Sequence, residues 1–245
     1  MKVVAIIQAR MGSTRLPGKI LKEVLGKSLL EYQIERIRLS EYIDEIMIAT
    51  TTNAHEQPII DLCNRLSLPF YRGSEHDVLA RYYQAAKEAS ADVVVRLTSD
   101  CPLLDPKVVD QVIEEFLNES NGYDYVSNTL TRTFPRGMDV EALSMFCLEY
   151  THDHTGKDAH REHVTPYIYE NPDLFKLGNV KLSSDYSNVR LTVDTPEDFE
   201  LVEKIIEYSS QHFSGAYVDL RTILDILEKN SEWLEINRHI EQKKV

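Results

Sequence analysis

Short apolar runs alternate with helical patterns through the first half of the chain. The runs have the length and composition of buried strands, at residues 3–7, 46–51, 69–71 and 93–97. Between and after them, apolar residues recur at helical spacing over 29–37, 59–66, 78–86 and 105–117. This alternation predicts an α/β fold: a doubly wound, mainly parallel sheet with helices on both faces.

The second half of the chain is less regular. Further strands are predicted at 139–143, 175–182 and 189–193, and a helix at 158–171 that ends before Pro172. Thr195-Pro196 is typical of a helix start, and a last helix is predicted at 219–229. No linker or internal repeat divides the sequence, so we expect residues 1–245 to form one domain.

A basic, glycine-containing loop follows the first strand. It contains Arg10, Gly12, Ser13, Arg15 and Lys19. Glycine lets a ligand approach the backbone closely, and arginine and lysine donate hydrogen bonds to phosphate oxygens. In a parallel sheet this position lies at the carboxyl end of a strand, where ligands bind. The loop therefore predicts a polyphosphate site, with an ordinary charged surface turn as the alternative.

The spacing in this loop excludes two common phosphate-binding motifs. Five residues separate Gly12 from Gly18, and Ile20 follows Lys19, whereas a Walker A loop needs four residues and then a hydroxyl side chain. The dinucleotide motif G-x-G-x-x-G is also absent. The sequence thus argues against a P-loop NTPase and against a Rossmann dehydrogenase.

The overall charge limits the partners. The chain has 40 acidic and 27 basic residues and a formal net charge of −13. This balance argues against nucleic acid and against an anionic membrane surface as partners. Against it, the basic loop is a local attractor for anions.

The cysteines and the length of the apolar runs predict the cellular compartment of the protein. Cys63, Cys101 and Cys147 are far apart, with no disulfide framework and no zinc spacing. We expect reduced thiols, no signal peptide and no membrane span, and hence a soluble cytoplasmic protein.

Two aspartates follow predicted strands. Asp100 comes after the strand at 93–97, and Asp194 after the strand at 189–193. Magnesium prefers a few carboxylate oxygens, with phosphate and water completing its ligands. The two side chains therefore predict a magnesium site beside the basic loop, the alternatives being a turn residue and a helix-cap support.

Four histidines lie close together in the second half: His152, His154, His160 and His163. The spacing of the last two could bind a metal on a helix, but no complete ligand set accompanies them. A polar helix surface or an interface is the favoured interpretation.

Several motifs together resemble one enzyme family. They are Gln8–Lys19, Tyr71-Arg72-Gly73-Ser74, Arg96–Pro102, Pro135–Glu141, Arg161–Tyr167 and Val193–Asp198. The set is similar to the CMP-sugar cytidylyltransferases, which activate 3-deoxy-manno-octulosonate and acylneuraminates, and most similar to their spore coat polysaccharide (SpsF-like) branch. The octulosonate enzymes differ around Asp100, with glutamine-glycine before it and glutamate after it, so the sugar is not assigned by these motifs.

The resemblance implies a fold, a reaction and partners. The fold would be that of the nucleotide-diphospho-sugar transferases, with residues 135–190 as a small β-rich insertion for acceptor binding and dimerisation. The reaction would transfer CMP from CTP to the anomeric hydroxyl of a sugar acid, with Mg²⁺ as cofactor and pyrophosphate as product. The protein would be a homodimer.

The resemblance also implies roles for individual residues. The catalytic set would be Arg10, Lys19, Asp100 and Asp194, the two aspartates holding the metal. The nucleotide would bind to Ala9, Arg10, Gly12, Ser13, Arg15, Lys19, Thr50, Thr51, Arg72 and Ser99.

The acceptor residues are less specified by the sequence. Arg132, Arg136 and Arg190 are candidates to bind a sugar carboxylate, and Asp139 and Glu141 could accept hydrogen bonds from sugar hydroxyls. Structural ion pairs explain these residues equally well.

Competing functions stay open. A nucleotide-sugar-dependent glycosyltransferase shares this type of sheet, but its usual Asp-x-Asp motif is absent. The same sheet and loop would also suit a uridylyltransferase or a non-catalytic nucleotide-binding protein.

Overall fold

One sheet organises the protein. The computed structural model describes residues 1–213 and 217–242. The strands are β1 (Val3–Gln8), β2 (Glu23–Val24), β3 (Lys27–Ser28), β4 (Glu45–Thr51), β5 (Phe70–Gly73), β6 (Val93–Thr98), β7 (Tyr125–Ser127), β8 (Glu141–Ser144) and β9 (Leu177–Asn179). A seven-stranded sheet has the order β5-β4-β1-β6-β8-β7-β9, and β2 pairs with β3 in a separate hairpin.

The sheet is mainly parallel. Strand β1 runs parallel to β4 and β6, with Ile7 beside Ile48 on one side and Leu97 on the other. Strands β4 and β5 are parallel, as are β7 and β9. Only β8 runs antiparallel to its neighbours, β6 and β7. The predicted α/β fold is confirmed, and the carboxyl ends of β1, β4, β5 and β6 meet at one edge.

Helices cover both faces of the sheet. They are α1 (Leu29–Ile37), α2 (Gln57–Leu66), α3 (Val78–Glu88), α4 (Pro106–Leu117), α5 (Met145–His154), α6 (Asp158–His163), α7 (Pro166–Tyr169), α8 (Pro196–His212) and α9 (Leu220–Lys229). Within the described ranges, no helix is long and apolar enough to span a membrane.

The core has two layers because strand side chains alternate between faces. On β1, Ala5 and Ile7 pack with residues of α1, α2, α4, α8 and α9. Val4 and Ile6 point to the other face and pack with residues of α3 and α5. The apolar runs are continuous because both faces of the strands are buried.

The predicted helix starts at Asp105 and Thr195 are confirmed. The Asp105 carboxylate accepts the amide of Lys107 at 2.9 Å. Thr195 and Asp198 form a capping box at the start of α8. These caps satisfy amides that have no partner within their own helix.

The predicted helix at 158–171 is wrong. The chain forms α6 and α7 instead, separated by Val164, whose φ is +74°. The amide of Thr165 donates to the carbonyl of His163 at 2.9 Å, which closes a three-residue turn. Pro166 contributes to the break, because it has no amide hydrogen with which to continue the helical hydrogen bonds.

The strand predictions in the second half also need correction. The run at 175–182 contributes only Leu177–Asn179, and 139–143 is replaced by Glu141–Ser144. Residues 189–193 form no regular strand but one isolated bridge, Arg136 with Arg190. Their amides bond to different segments: Leu191 to the carbonyl of Arg136 and Val193 to that of Asp100, each at 2.8 Å. Because these two amides bond to different segments, residues 189–193 do not pair with one neighbouring strand and form no regular strand.

The segment 135–190 is not a β-rich insertion. Its strands β8 and β9 are short and belong to the main sheet, and α5, α6 and α7 contain more of its residues than the strands do. Gly137 is required at its start, since φ is +96° and an added Cβ would lie 2.7 Å from the Leu191 carbonyl carbon.

Candidate active site

The basic loop is held in place by its own backbone and by a buried carboxylate. Glu56, fully buried, accepts the amide of Met11 at 2.8 Å and the hydroxyl of Thr51 at 3.0 Å. The amides of Ser13 and Gly18 donate to the Met11 carbonyl at 3.0 and 3.3 Å. The loop that follows β1 is therefore tied to the end of β4.

The first residues of the loop differ in exposure. Ala9 is buried and donates its amide to the Ala49 carbonyl at 3.1 Å, whereas Arg10 and Gly12 are exposed. A Cβ added to Gly12 would meet no atom within 4 Å. The protein's own packing therefore does not demand glycine at this position.

Lys19 joins the two aspartates. Its Nζ lies 3.0 Å from Oδ2 of Asp100 and 2.7 Å from Oδ1 of Asp194, and its side chain is 13% exposed. Burial opposes the charge of Lys19, but the two carboxylates outweigh burial and raise the pKa of its ammonium group. The loop and two distant chain segments thus meet at one cationic nitrogen.

Asp194 is surrounded by further cations. Its Oδ2 lies 3.0 Å from Nη2 of Arg15 and 2.8 Å from Nη2 of Arg190. Burial alone would raise the pKa of Asp194, but Lys19, Arg15 and Arg190 together lower it. Asp194 is therefore a carboxylate held ionised at the centre of the site.

Asp100 is oriented by its own turn. Its Oδ1 accepts the hydroxyl of Thr98 at 2.7 Å, and its carbonyl accepts the hydroxyl of Thr192 at 3.1 Å. These bonds hold the end of β6 against the segment that carries Asp194. Both carboxylates consequently face the same point.

Arg190 supports Asp194 from behind. It is 5% exposed, and its Nε and Nη2 donate to Asp198 at 2.8 and 3.0 Å. Asp198 is fully buried and also accepts the amide of Asp194 at 2.9 Å. This buried pairing gives Arg190 a structural role, because its charge is matched inside the protein, and its contact with a sugar carboxylate stays a prediction.

Glu141 is also committed to the interior. Its carboxylate accepts the hydroxyls of Tyr125 at 2.5 Å and Thr165 at 2.7 Å, and forms an ion pair with Arg96. A contact of Glu141 with sugar hydroxyls stays a prediction, while its internal contacts give Glu141 a structural role. The physical reason is that β8 runs antiparallel to β6, which places Glu141 directly beside Arg96.

Of the remaining residues predicted to bind the acceptor sugar, Arg132 and Asp139 form an ion pair, and Arg136 forms none with any described residue. Arg132 contacts both oxygens of Asp139, at 2.5 and 2.8 Å, so the two form a structural ion pair. Arg136 is half-buried and forms no ion pair with any residue in 1–213 or 217–242. Burial and the neighbouring Arg132 lower the pKa of Arg136. Of the candidates, Arg136 is the one whose charge is still available to an anion.

The other nucleotide candidates lie at the ends of β4, β5 and β6. Thr50 and Thr51 are fully buried, and Ser99 donates its amide to the Gln8 carbonyl at 3.2 Å. Arg72 donates to the carbonyls of Thr51 and Asn53 at 3.1 and 3.0 Å. The structure thus brings these residues to the edge that carries the basic loop.

Two buried charged residues near this edge, Glu56 and Arg81, were not predicted from the sequence. Both belong to segments without a recognisable motif, and only their burial and contacts single them out. Glu56 has only the neighbouring His55 as a basic partner within 4.0 Å, and Arg81 has no carboxylate within that distance in the described residues, so no characteristic spacing marks either residue.

The four histidines of residues 152–163 differ in exposure, since His160 is buried and His154 is exposed. His160 is buried between the Thr155 hydroxyl at 2.7 Å and the Glu170 carboxylate at 3.0 Å. The ring of His152 stacks on Tyr83, with centroids 4.4 Å apart. No group of three or more possible metal ligands occurs among the residues that the structure describes.

A family model described as cytidylyltransferase matches residues 4–238, which is nearly the whole chain. The chain belongs to the cytidylyltransferase family. Membership in this family implies nucleotidyltransferase activity.

Similar proteins agree with this assignment. The chain is 40% identical to an uncharacterized protein of Methanocaldococcus jannaschii, over 99% of this chain and 97% of that protein. It is 30% identical to the spore coat polysaccharide biosynthesis protein SpsF of Bacillus subtilis, over 91% and 94%. A 3-deoxy-manno-octulosonate cytidylyltransferase of Solibacter usitatus is 24% identical, over 85% and 96%.

Solved structures share the fold. A cytidylyltransferase from Leptospira borgpetersenii superposes with a TM-score of 0.91 at 33% identity, covering 100% of both chains. A CMP-2-keto-3-deoxy-manno-octonic acid synthetase, solved in complex with CTP, has a TM-score of 0.65 at 18% identity and covers 85% of this chain and 100% of its own.

Proposed function

We propose that this cytidylyltransferase transfers CMP from CTP to the anomeric hydroxyl of a sugar acid, releasing pyrophosphate. The observation that carries the proposal is the convergence of Lys19, Asp100 and Asp194 at one point beside the basic loop. The names of the relatives support the substrates: one is an octulosonate cytidylyltransferase, and another acts in spore coat polysaccharide biosynthesis. We therefore place the reaction in the synthesis of a surface or spore coat polysaccharide.

The cations of the loop fit the charge of the reaction. The acceptor oxygen attacks the α-phosphorus of CTP, and the bond from that phosphorus to the pyrophosphate breaks. Negative charge then builds on the leaving group, where Arg10, Arg15 and Lys19 would stabilise it. Arg10 is exposed and Arg15 is 40% exposed, so both can reach a ligand above the loop.

The two aspartates fit a magnesium ion. Oδ2 of Asp100 and Oδ1 of Asp194 both contact the same ammonium nitrogen, so they already face a common position for a cation. Within the described part of the chain no third ligand joins them, which matches the preference of magnesium for one or two carboxylates plus phosphate oxygens and water. When bound, the ion would neutralise phosphate charge and lower the pKa of a coordinated hydroxyl.

Arg136 is the proposed partner of the sugar carboxylate. It is an arginine beside the site without an ion pair in the described residues, and its carbonyl accepts the amide of Leu191 at 2.8 Å. Two residues further on, Val193 bonds to Asp100. A short stretch of backbone thus connects Arg136 to the proposed metal site.

Pyrophosphate release tests the proposal. The assay combines CTP or UTP with several sugar acids and with neutral sugars, in the presence of magnesium or a chelator. We expect release with CTP, a sugar acid and magnesium together. Release with UTP would indicate a uridylyltransferase. Nucleotide binding without release for any acceptor would indicate a non-catalytic protein, and sugar transfer from a nucleotide sugar would indicate a glycosyltransferase.

The homodimer is proposed on a separate ground. Phe146 and Leu174, both within 135–190, are 67% and 53% exposed. Large apolar side chains that remain exposed in this segment favour contact with a second copy. Light scattering at micromolar concentration tests this, and a monomer there would contradict it.

A further inference from the structure

Three arginines without an ion pair surround the ends of β1, β4 and β5. They are Arg10, Arg72 and Arg81, and none of them has a carboxylate within 4.0 Å in residues 1–213 and 217–242. Other arginines have a carboxylate partner, as Arg65 has Glu31 and Arg132 has Asp139, and those without one in the described residues, Arg36, Arg38 and Arg136, do not belong to this group. A cluster of unmatched cations at one edge of the sheet favours an anionic ligand.

Arg81 is the buried member of this cluster. It lies on α3 and is 2% exposed. Its Nη1 donates to the carbonyl of Ser74, and its Nε finds no hydrogen-bond partner among the described residues. Burying a charged group without a carboxylate partner lowers the stability of the fold, so we expect the buried charge of Arg81 to have a function. Burial, together with the nearby charge of Arg10, lowers the pKa of Arg81.

Arg81 is linked to the nucleotide loop through adjoining strand ends. Its side chain packs on Gly73, where an added Cβ would lie 3.1 Å from Cγ of Arg81. Gly73 pairs with Thr51 in the sheet, and Thr51 donates to Glu56, which also holds the amide of Met11. Arg81 therefore lies directly behind the loop and the β4–β5 edge.

The acidic residues nearby do not cancel this charge. Glu56 uses its oxygens for Thr51 and Met11, and Glu75 accepts from Asn53 at 2.6 Å. Against these two carboxylates stand Arg10, Arg72 and Arg81, so the balance of the cluster is one positive charge.

We propose that Arg81 is a positioning residue for the nucleoside triphosphate: it holds the Gly73–Ser74 turn through the Ser74 carbonyl and attracts the polyphosphate with its unmatched charge. The inference deepens the proposed function and rests on it in taking CTP as the anion. The charge acts at a distance, because the low-dielectric interior behind the loop screens it less than water does.

A simpler account is that Arg81 only holds the turn. The two accounts differ in how loss of the charge affects ligands of different charge. A field from Arg81 acts on CTP strongly, on CMP less and on uncharged cytidine not at all. A loosened turn affects the three ligands alike.

Calorimetric titration of CTP, CMP and cytidine into the full-length protein separates the accounts. Arg81→Gln keeps a donor for the Ser74 carbonyl but removes the charge, and Arg81→Lys keeps the charge. We expect Arg81→Gln to weaken CTP binding about tenfold, or about 1.4 kcal/mol, while cytidine binding stays unchanged. We expect Arg81→Lys to retain most of the preference for CTP over cytidine.

Salt dependence gives a second readout. The CTP affinity of the wild type should fall more steeply with salt than that of Arg81→Gln, because one charge fewer acts on the ligand. The matched control is Arg38→Gln. Arg38 is exposed, donates to the Leu66 carbonyl at 2.7 Å and lies at the far end of α1. This control should leave all three affinities unchanged.

The outcomes are distinguishable. Equal loss for CTP, CMP and cytidine in Arg81→Gln would overturn the proposal in favour of a turn support, and unchanged CTP binding would leave Arg81 without either role. If Arg81→Gln does not fold, replacing Arg81 by citrulline removes the charge at nearly constant shape, and the same comparison applies. A wild type that binds CTP no tighter than cytidine would contradict the proposed function itself.

Discussion

The ammonium nitrogen of Lys19 lies 2.7 Å from a carboxylate oxygen of Asp194, although 175 residues separate the two in sequence. Asp100 completes the contact from a third segment, at 3.0 Å. Asp100 follows β6, Lys19 lies in the loop after β1, and Asp194 follows a segment outside the sheet that is held to the Asp100 carbonyl by the amide of Val193. The resulting cluster is the basis of the predictions that follow.

Lys19→Ala should reduce turnover about 10²–10³-fold, as expected when one electrostatic contact to a developing charge is lost. The measurement is kcat for pyrophosphate release. Lys229→Ala removes an exposed lysine at the end of α9 and is the matched control. A Lys19→Ala protein with near-wild-type turnover would exclude the triphosphate role of this residue.

Asp198→Asn and Asp194→Asn should differ in stability and activity. Asp198 is fully buried against Arg190 and accepts the amides of Asp194 and Thr195. Breaking this buried pair should lower the free energy of unfolding by about 3–5 kcal/mol. Asp194→Asn should abolish activity but lower the free energy of unfolding less, because Asp198 still neutralises Arg190. Denaturant unfolding and pyrophosphate release test both, and equal destabilisation would contradict the assigned division of roles.

Arg136→Ala should raise the KM for the sugar acid about tenfold, which corresponds to about 1.4 kcal/mol, and leave the KM for CTP within about twofold. The reason is that Arg136 forms no ion pair in the described residues and is connected through Leu191 and Val193 to Asp100. Arg132→Ala is the comparison, since Arg132 is already paired with Asp139. Steady-state kinetics with each substrate varied in turn measures both, and parallel changes in the two KM values would argue against a carboxylate contact.

Asp219 should make stability depend on pH in the acid range. Hydrogen bonds from the amide and hydroxyl of Thr222, and the charge of Lys107, lower the pKa of Asp219 to about 2. Because the unfolded pKa is about 3.9, the ionised cap stabilises the fold above that value, and the contribution is lost as the pH falls to about 2. Asp219→Asn keeps an amide-capping side chain without charge.

At neutral pH the free energy of unfolding of the wild type should therefore exceed that of Asp219→Asn by about 0.5–1 kcal/mol, the usual contribution of a charge at a helix N-terminus. Urea unfolding at several pH values measures this difference, which should shrink between about pH 5 and pH 2. A difference that stays constant over this range would show that the charge of Asp219 does not contribute.

Local sequence signals were reliable where local physics decides the structure. The cap at Asp105 and the capping box at Thr195 both formed as predicted, because they depend on residues a few positions apart. The break at Val164 was missed because the long helical pattern outweighed the signal of Pro166. The run at 189–193 failed as a strand because its amides find partners on two different segments.

The roles of the arginines could not be predicted from sequence. Arg136 and Arg190 are alike in type, yet Arg136 forms no ion pair in the described residues and Arg190 is buried between Asp194 and Asp198. Arg81 carried no motif at all, and its importance rests on 2% exposure and an unmatched charge. Burial and pairing are tertiary properties, since they depend on residues that only the fold brings near.

The sequence alone determined the parallel sheet, the helix caps and the chemistry of the basic loop, because hydrophobic period, capping and side-chain charge are local properties. Only the tertiary structure decided which charges remain available to a ligand. Strand order and direction place Glu141 beside Arg96. Backbone hydrogen bonds outside the sheet hold the segment of Arg190 and Asp194 against the end of β6, where Asp194 meets Lys19. A charge that is already paired in the interior attracts a substrate only weakly, and the spacing of residues in the sequence does not reveal which charges are paired.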